Sequence, residues 1–271
     1  MGALLAARIF GKRVFTQSDS SFQQHCGRPW WIRHLKSILI SILYSKRTRV
    51  WVVGNDNARF WLAFGLANQS TVAFESPIVE DASQARSRIP YLLERERTAP
   101  ATERLALYVG RLSPEKRIPD AIRAVGIARA QGTPIRLAIV GSGDTDLLTV
   151  DQQTPDWLDY VGPVPHQDLS ALLTAADVLV LPSIREAYGL VVREALQFGL
   201  PVVASAAVTA ARELCDEGWN IVPVGDIDKL AEAITHAVQL SERWTPLGPV
   251  DVSNFYEWEL MPHQSETPNL T

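Results

Sequence analysis

The stretch DVLVLPSIREAYGLVVREALQFGLPVVAS, Asp177–Ser205, reads as strand, loop, helix, turn and strand. Asp177–Leu181 is an apolar run stopped by Pro182, as a buried strand is. Ser183–Tyr188 forms the loop. In Gly189–Phe198 the apolar Val191, Val192, Ala195, Leu196 and Phe198 share one helical face, leaving Arg193, Glu194 and Gln197 on the other. Gly199 suits a left-handed helix stop, and Pro201 prevents continuation before the strand Val202–Ala204.

This order places Gly189 and Leu190 at a helix N-terminus just beyond the carboxyl end of a strand. Ligands of open α/β sheets dock there, and unpaired amides favour a phosphate. Glu186 in the loop and Glu194 on the helix frame the position, with seven residues between them. Taken alone, Glu186 also fits a carboxylate at a helix dipole, and Glu194 a solvated outer face.

Three further strand ends carry chemistry. In VGRLSPEKR, 109–117, Arg111 offers a forked donor and Lys116 a mobile charge, both able to stabilise a diphosphate leaving group. Ser113 as N-cap with Pro114 at N1 would explain the turn itself. In IVGSGD, 139–144, Gly141 and Gly143 permit close backbone approach, but Asp146 stands where a dinucleotide fingerprint needs a third glycine. Asp144-Thr145-Asp146 has the form of a metal-binding D-x-D, although Asp144 also suits an N-cap; no metal site is expected. VGPV, 161–164, follows the third strand as a turn.

The spacing of Glu186 and Glu194, together with GRLSPEK, resembles the retaining glycosyltransferases of the GT4 family. The resemblance runs from about Arg13 to Leu240. It implies an α/β, GT-B-like fold of two Rossmann-like doubly wound domains, the N-terminal one incomplete. It also implies transfer of a hexose, with retention, from a nucleoside diphosphate sugar to a sugar or lipid-linked acceptor, without an obligatory metal or other cofactor. Arg111 and Lys116 would contact the diphosphate, Glu186 the donor sugar and Glu194 the ribose. Gly141, Gly162, Val164, Tyr188, Gly189 and Leu190 would complete the donor site, with Tyr188 standing where the family usually has Phe. A histidine that many members carry in the first domain has Asp19 in the comparable place. Asp19 is thus the second catalytic candidate, and as a turn residue it needs no special role.

The rest of the chain is read around this unit. Residues 1–74 alternate helix and strand: Ala3–Phe10, Arg13–Gln17, Trp30–Tyr44, Val50–Val53, Asn55–Phe64 and Ser70–Phe74. No glycine-rich first loop precedes Arg13, which predicts donor binding with poor transfer. Residues 75–103 read as a linker with one short helix at Pro90–Glu96. Residues 104–243 form the donor-binding domain, with strands at Leu105–Val109, Ile135–Val140, Leu158–Val161, Val178–Leu181, Val202–Ala204 and Asn220–Val222. Helices are expected at Ile118–Gln131, Asp144–Thr149, Gln167–Ala175, Gly189–Phe198, Val208–Glu217 and Ile227–Leu240. Residues 244–271 read as an irregular tail, with at most a turn of helix at Asn254–Leu260.

Composition narrows the partners. With 26 basic and 30 acidic residues, the chain gives no reason to expect nucleic acid. Two cysteines, Cys26 and Cys215, make neither a disulfide framework nor a metal pattern, as befits a reducing cytoplasm. No run reaches the length of a membrane span, and the opening does not read as a signal peptide. The helix 30–44 has two readings: a core-packing helix with a solvated basic face, or a peripheral contact with the inner face of an anionic membrane. Two other functions fit the same scaffold: a sugar-nucleotide epimerase or phosphorylase, and a catalytically impaired sugar-nucleotide-binding remnant.

Overall fold

A computed structural model describes residues 4, 6, 9–11, 14–17, 27–44, 48–52, 54–64, 69–71, 82–100, 102–215, 218–240 and 243–246. The chain divides into two compact units, Met1–Phe74 with Pro249–Thr271 and Glu75–Gly248.

In the first unit, β1 (Val14–Gln17), β2 (Thr48–Val52) and β3 (Gln69–Thr71) form a parallel sheet in that order. Helices α1 (Trp30–Leu43) and α2 (Gly54–Leu62) fill the intervals. Its small core holds Ile40, Val50, Val52, Phe60 and Trp61. Lys36 lies 4.4 Å from the centre of the Phe60 ring. Burial of α1 stops near there: Trp31, Leu35, Ile38, Leu39 and Ile42 are exposed. The core-packing reading of this helix holds for Ile40 but not for its more apolar face. Residues 72–74 of the strand expected at Ser70–Phe74, Asp19, Cys26 and 254–260 lie outside the described residues.

The second unit contains the larger core. Six parallel strands are β4 (Arg104–Val109), β5 (Ile135–Val140), β6 (Leu158–Gly162), β7 (Val178–Leu181), β8 (Val202–Ser205) and β9 (Ile221–Val222). All run parallel in the order β6-β5-β4-β7-β8-β9. Buried parallel strands need apolar side chains on both faces, and β7 is buried at all four residues.

Leu107 of β4 pairs with Ala138 on one side and Leu179 on the other. The chain therefore winds one way from β4 and the opposite way from β7. Their carboxyl ends flank the topological switch point, where an open α/β sheet leaves a crevice.

Helices α3 (Ala82–Arg86) and α4 (Pro90–Thr98) precede this sheet. Ala85, Ile89 and Leu92 are buried in its core, so the stretch read as a linker with one short helix carries two packed helices. Few apolar residues among many charges hid them. The remaining helices are α5 (Ile118–Ala130), α6 (Leu169–Ala175), α7 (Leu190–Gln197), α8 (Thr209–Leu214) and α9 (Ile227–Gln239). The helix expected at 144–149 is a 3-10 turn, Thr145–Leu148.

One expectation fails on α7. Arg193 and Glu194, placed on its outer face, are only 8% and 6% exposed. The helix is short and enclosed, so both faces meet protein. Beyond α9, Arg243 donates to the carbonyls of Leu173, Thr174, Ala176 and Phe198, closing the C-terminal end of α6. Trp244 N donates to Gly199 O at 2.9 Å.

Candidate functional site

Four loops leave the carboxyl ends of β4, β5, β6 and β7, and backbone hydrogen bonds tie them together. Gly110 N donates to Val140 O, Leu112 N to Ser142 O, and Asp144 N to Leu112 O, at 2.8–2.9 Å. Gly141 N donates to Gly162 O at 2.9 Å. The loop after β7 is held to that after β4 by Ile184 N donating to Glu115 O at 2.9 Å.

The glycines make this closeness possible. A Cβ on Gly141 would stand 1.8 Å from Gly110 O, and one on Gly143 would stand 2.2 Å from Leu112 O. Gly141 thus stands in the structure as a loop-packing residue beside the site.

Across the switch point, Lys116 Nζ donates to Glu186 Oε2 at 2.5 Å. Ser183 Oγ adds a longer contact to the same oxygen at 3.4 Å. Ser183 is fully buried, and its carbonyl accepts from Ser205 Oγ at the end of β8. A rigid floor thus sets the Glu186 carboxylate, while Lys116 holds it from the facing loop. Arg111 sits at the same strand end, its carbonyl accepting from Tyr108 Oη at 2.9 Å. Its guanidinium is exposed and makes no hydrogen bond or ion pair to another described residue. Burial, reinforced by Glu186 and Glu115, pushes the Tyr108 hydroxyl up, so it stays a neutral donor.

The start of α7 completes one wall. Gly189 has φ 97°, a conformation that L side chains rarely adopt. A Cβ there would stand 2.9 Å from Val208 Cγ1 and 3.3 Å from Glu186 Cγ. Glycine therefore lets the Glu186 stem fold beneath the helix start. Leu190, the first helical residue, is exposed, and the first amides of a helix lack intrahelical partners. Tyr188 is half-buried, and burial together with Glu213 pushes its hydroxyl up to about 12. It packs its ring against the core and carries no charge near neutral pH.

Glu194 lies one turn further along α7. Its Oε1 is 2.9 Å from His166 Nε2, the donor in this pair. His166 opens the turn after Gly162, Pro163 and Val164, so the Glu194 carboxylate belongs with the loop after β6. Gly162 has φ 80° and open space around its Cβ position, and Val164 packs partly on the core.

The structure thus brings Lys116 and Glu186 into contact and gathers Arg111, Gly141, Gly162, Val164, Tyr188 and Gly189 on loops, and Leu190 and Glu194 on α7, at one end of one sheet. Asp19 lies outside the described residues. Sequence reasoning missed Ser183 and Ser205, which set Glu186, and His166, which holds Glu194. No short motif marks them, because each acts through a partner distant in sequence.

Asp144 caps the turn 145–148 by accepting from Asp146 N at 3.1 Å. Ser113 makes no side-chain cap bond to its turn. Among the described residues, no cluster of three or more His, Cys, Asp or Glu is placed to hold a metal ion.

A cavity lined by Tyr91, Arg95, Glu103, Arg136 and Asp159 lies at the amino-terminal ends of β4–β6, the opposite edge of the sheet. Four of its charges pair with one another, Arg95 with Glu103 at 3.0 Å and Arg136 with Asp159 at 2.6 Å. The strand-end loops are the stronger candidate, because they offer the exposed Arg111 on the loop after β4 and a helix N-terminus after β7 at the same end of the sheet.

Comparison with known proteins follows the same lines. The family profile for glycosyl transferases group 1 matches residues 93–245. Glycogen synthase of Mycobacterium tuberculosis is 34% identical over 164 residues, covering 57% of this chain and 39% of that protein. O-antigen chain mannosyltransferase B of Escherichia coli is 33% identical over 141 residues, covering 49% and 36%. Phosphatidyl-myo-inositol mannosyltransferase of Mycobacterium leprae is 28% identical over 243 residues, covering 84% and 62%. The chain thus spans roughly four- to six-tenths of the length of these relatives.

Among solved structures, Anabaena HepE, crystallised with UDP and glucose, superposes with a TM-score of 0.68 at 19% identity, over 90% of this chain and 67% of that one. Sucrose-phosphate synthase of Thermosynechococcus elongatus gives 0.64 at 23%, over 83% and 58%. These likenesses show the fold, an α/β architecture of the GT-B type.

Proposed function

Because the chain belongs to the glycosyl transferases group 1 family, we propose that it binds a nucleoside diphosphate sugar at the strand-end loops of residues 75–248 and transfers the hexose, with retention, to a sugar or lipid-linked acceptor. The observation that carries this reading is the Lys116–Glu186 contact across the switch point, with Arg111 on the same loop as Lys116. A cation and a carboxylate held together there suit a ligand that joins phosphate to sugar.

In this reading Arg111 and Lys116 meet the diphosphate. Negative charge grows on it as the bond from the anomeric carbon to the phosphate oxygen lengthens, and cations fixed in advance stabilise that charge without reorganising. The amides of Leu190 and Val191 add the partial positive end of α7. Glu186, set by Ser183 and Lys116, contacts the hexose hydroxyls. Glu194 accepts from the ribose diol, and the backbone around Gly162 and Val164 meets the base. The diphosphate oxygen assists the incoming hydroxyl on the same face as the departing bond, which preserves the anomeric configuration. No metal is required, since two side-chain cations and a helix end neutralise the leaving group. Asp19 is the proposed contact from the first unit.

Calorimetry of the whole chain with UDP, GDP, ADP and the matching nucleosides tests the binding part. Diphosphates should bind at least tenfold more tightly than nucleosides, since each charge-assisted bond contributes about 1.5–3 kcal/mol. Equal affinities would remove the diphosphate site. Incubating the preferred sugar nucleotide with sugar and lipid-linked acceptors then tests transfer, and incubation without acceptor reveals an epimerised product. Binding without turnover on any acceptor would favour the impaired remnant.

A further inference from the structure

Helix α1 packs on the first unit inside out. Ile40 is buried and Lys36 caps the Phe60 ring, which fixes the inward side. At 100° per residue, Trp31, Leu35, Ile38, Leu39 and Ile42 fall within one arc of about 100° on the outward side. Trp31 is 56% exposed, Leu35 63% and Ile38 58%. Such a stripe on a helix already seated by its opposite side marks an interaction surface.

The charge pattern identifies the occupant. Between Ser20 and Asn55 there is no Asp or Glu, while Arg28, Arg33, Lys36, Lys46, Arg47 and Arg49 are all basic. This holds in a chain whose net charge is −4. A protein partner or a second copy of this acidic chain would need only the apolar stripe. An acid-free basic stretch that carries an apolar stripe matches an anionic lipid surface: the stripe enters the headgroup boundary, and Arg28 before α1 and Lys46, Arg47 and Arg49 after it supply cations for phosphates. Trp30 and Trp31 stand at the helix start, and indole rings favour that boundary. With 14 residues, α1 is about 21 Å long. A span needs about 20 apolar residues, so the helix would lie in the membrane plane.

We propose that α1 is a peripheral docking helix for anionic membranes. The contact is independent of the sugar-nucleotide reading, because the residues that carry it are in the other unit.

Co-sedimentation of the full chain with vesicles tests it. The chain should pellet with phosphatidylcholine–phosphatidylglycerol vesicles and stay largely in solution with phosphatidylcholine alone, and added salt should weaken the contact. Leu35→Glu and Ile38→Glu, both at exposed positions, should each lower partition by roughly tenfold. Both should leave nucleotide binding unchanged, which separates this proposal from the transferase reading. Three results would overturn it: no pelleting with anionic vesicles, pelleting that survives both substitutions, or a dimer in solution that the substitutions dissolve. The last would assign the stripe to a second copy of the chain.

Discussion

Lys116 and Glu186, seventy residues apart in sequence, share one 2.5 Å contact across the switch point of the sheet. Substituting the two ends should therefore give opposite results. Lys116→Ala and Arg111→Ala should each weaken a nucleoside diphosphate by roughly 10- to 100-fold, following about 1.5–3 kcal/mol per charge-assisted bond. The bare nucleoside should lose little. Glu186→Gln releases Lys116 from its carboxylate, so free nucleoside diphosphate should bind as well as before or better, while use of the sugar donor falls. Calorimetry on the three variants decides; a loss of free nucleotide affinity in Glu186→Gln would put that carboxylate on the nucleotide instead of the sugar.

Glu194 is buried, with His166 as a partner, so its remaining capacity is aimed narrowly. Glu194→Gln should lower nucleoside diphosphate affinity by about tenfold, the low end of the range for one charged hydrogen bond. The same substitution should cost nothing against a 2′,3′-dideoxy nucleotide, which lacks the diol. A loss equal for both ligands would make Glu194 a structural support for the loop after β6.

The glycines offer a contrast in stability. Gly141→Ala would drive a methyl into Gly110 O, and the resulting shift should cost about 2–4 kcal/mol in denaturant unfolding. Gly162→Ala also meets a positive φ but has nothing within 4 Å, so it should cost only about 1–2 kcal/mol. Equal losses would mean that the loops tolerate separation.

Alkaline stability should report the buried tyrosines. Tyr188 is raised from 10.0 to about 12 by burial, and Tyr91 and Tyr108 are raised further. Below pH 10 both folded and unfolded tyrosines keep their protons, so this contribution is fully present. Above pH 10 the unfolded chain releases protons that the folded chain retains, and stability falls as pH rises. Tyr188→Phe should fall less steeply between pH 10 and 12. An unchanged slope in urea titrations across that window would show that Tyr188 ionises in the folded state as it does in water.

The strands of the second unit were legible because buried parallel strands leave unbroken apolar runs. Ile135–Val140 and Val178–Leu181 appear with the expected bounds, and the others shift by a residue or so. The turn residues Gly141, Gly189 and Gly199 were readable too, since each sits where a chain must reverse or approach another. What could not be read is tertiary. Ala85, Ile89 and Leu92 are buried in a core whose other members follow them in the chain, α3 packing on α6. Arg193 and Glu194 follow a polar periodicity yet are enclosed because short α7 has protein on both sides. The Ser205–Ser183–Glu186 relay and the His166–Glu194 pair depend on strand order, which local pattern does not encode. On α1 the polarity could be read but not the side that faces out.

Arg243 gathers four carbonyls from the ends of α6 and α7, and Trp244 rejoins the chain at Gly199. This clasp determines where the molecule can be cut. A graft made to exchange donor preference between related enzymes should carry residues through Pro246. One that stops after α9 discards the fastening and leaves the close of α6 open to water. Arg243 thus defines a natural seam for recombination, set by backbone carbonyls and independent of the strand-end loops.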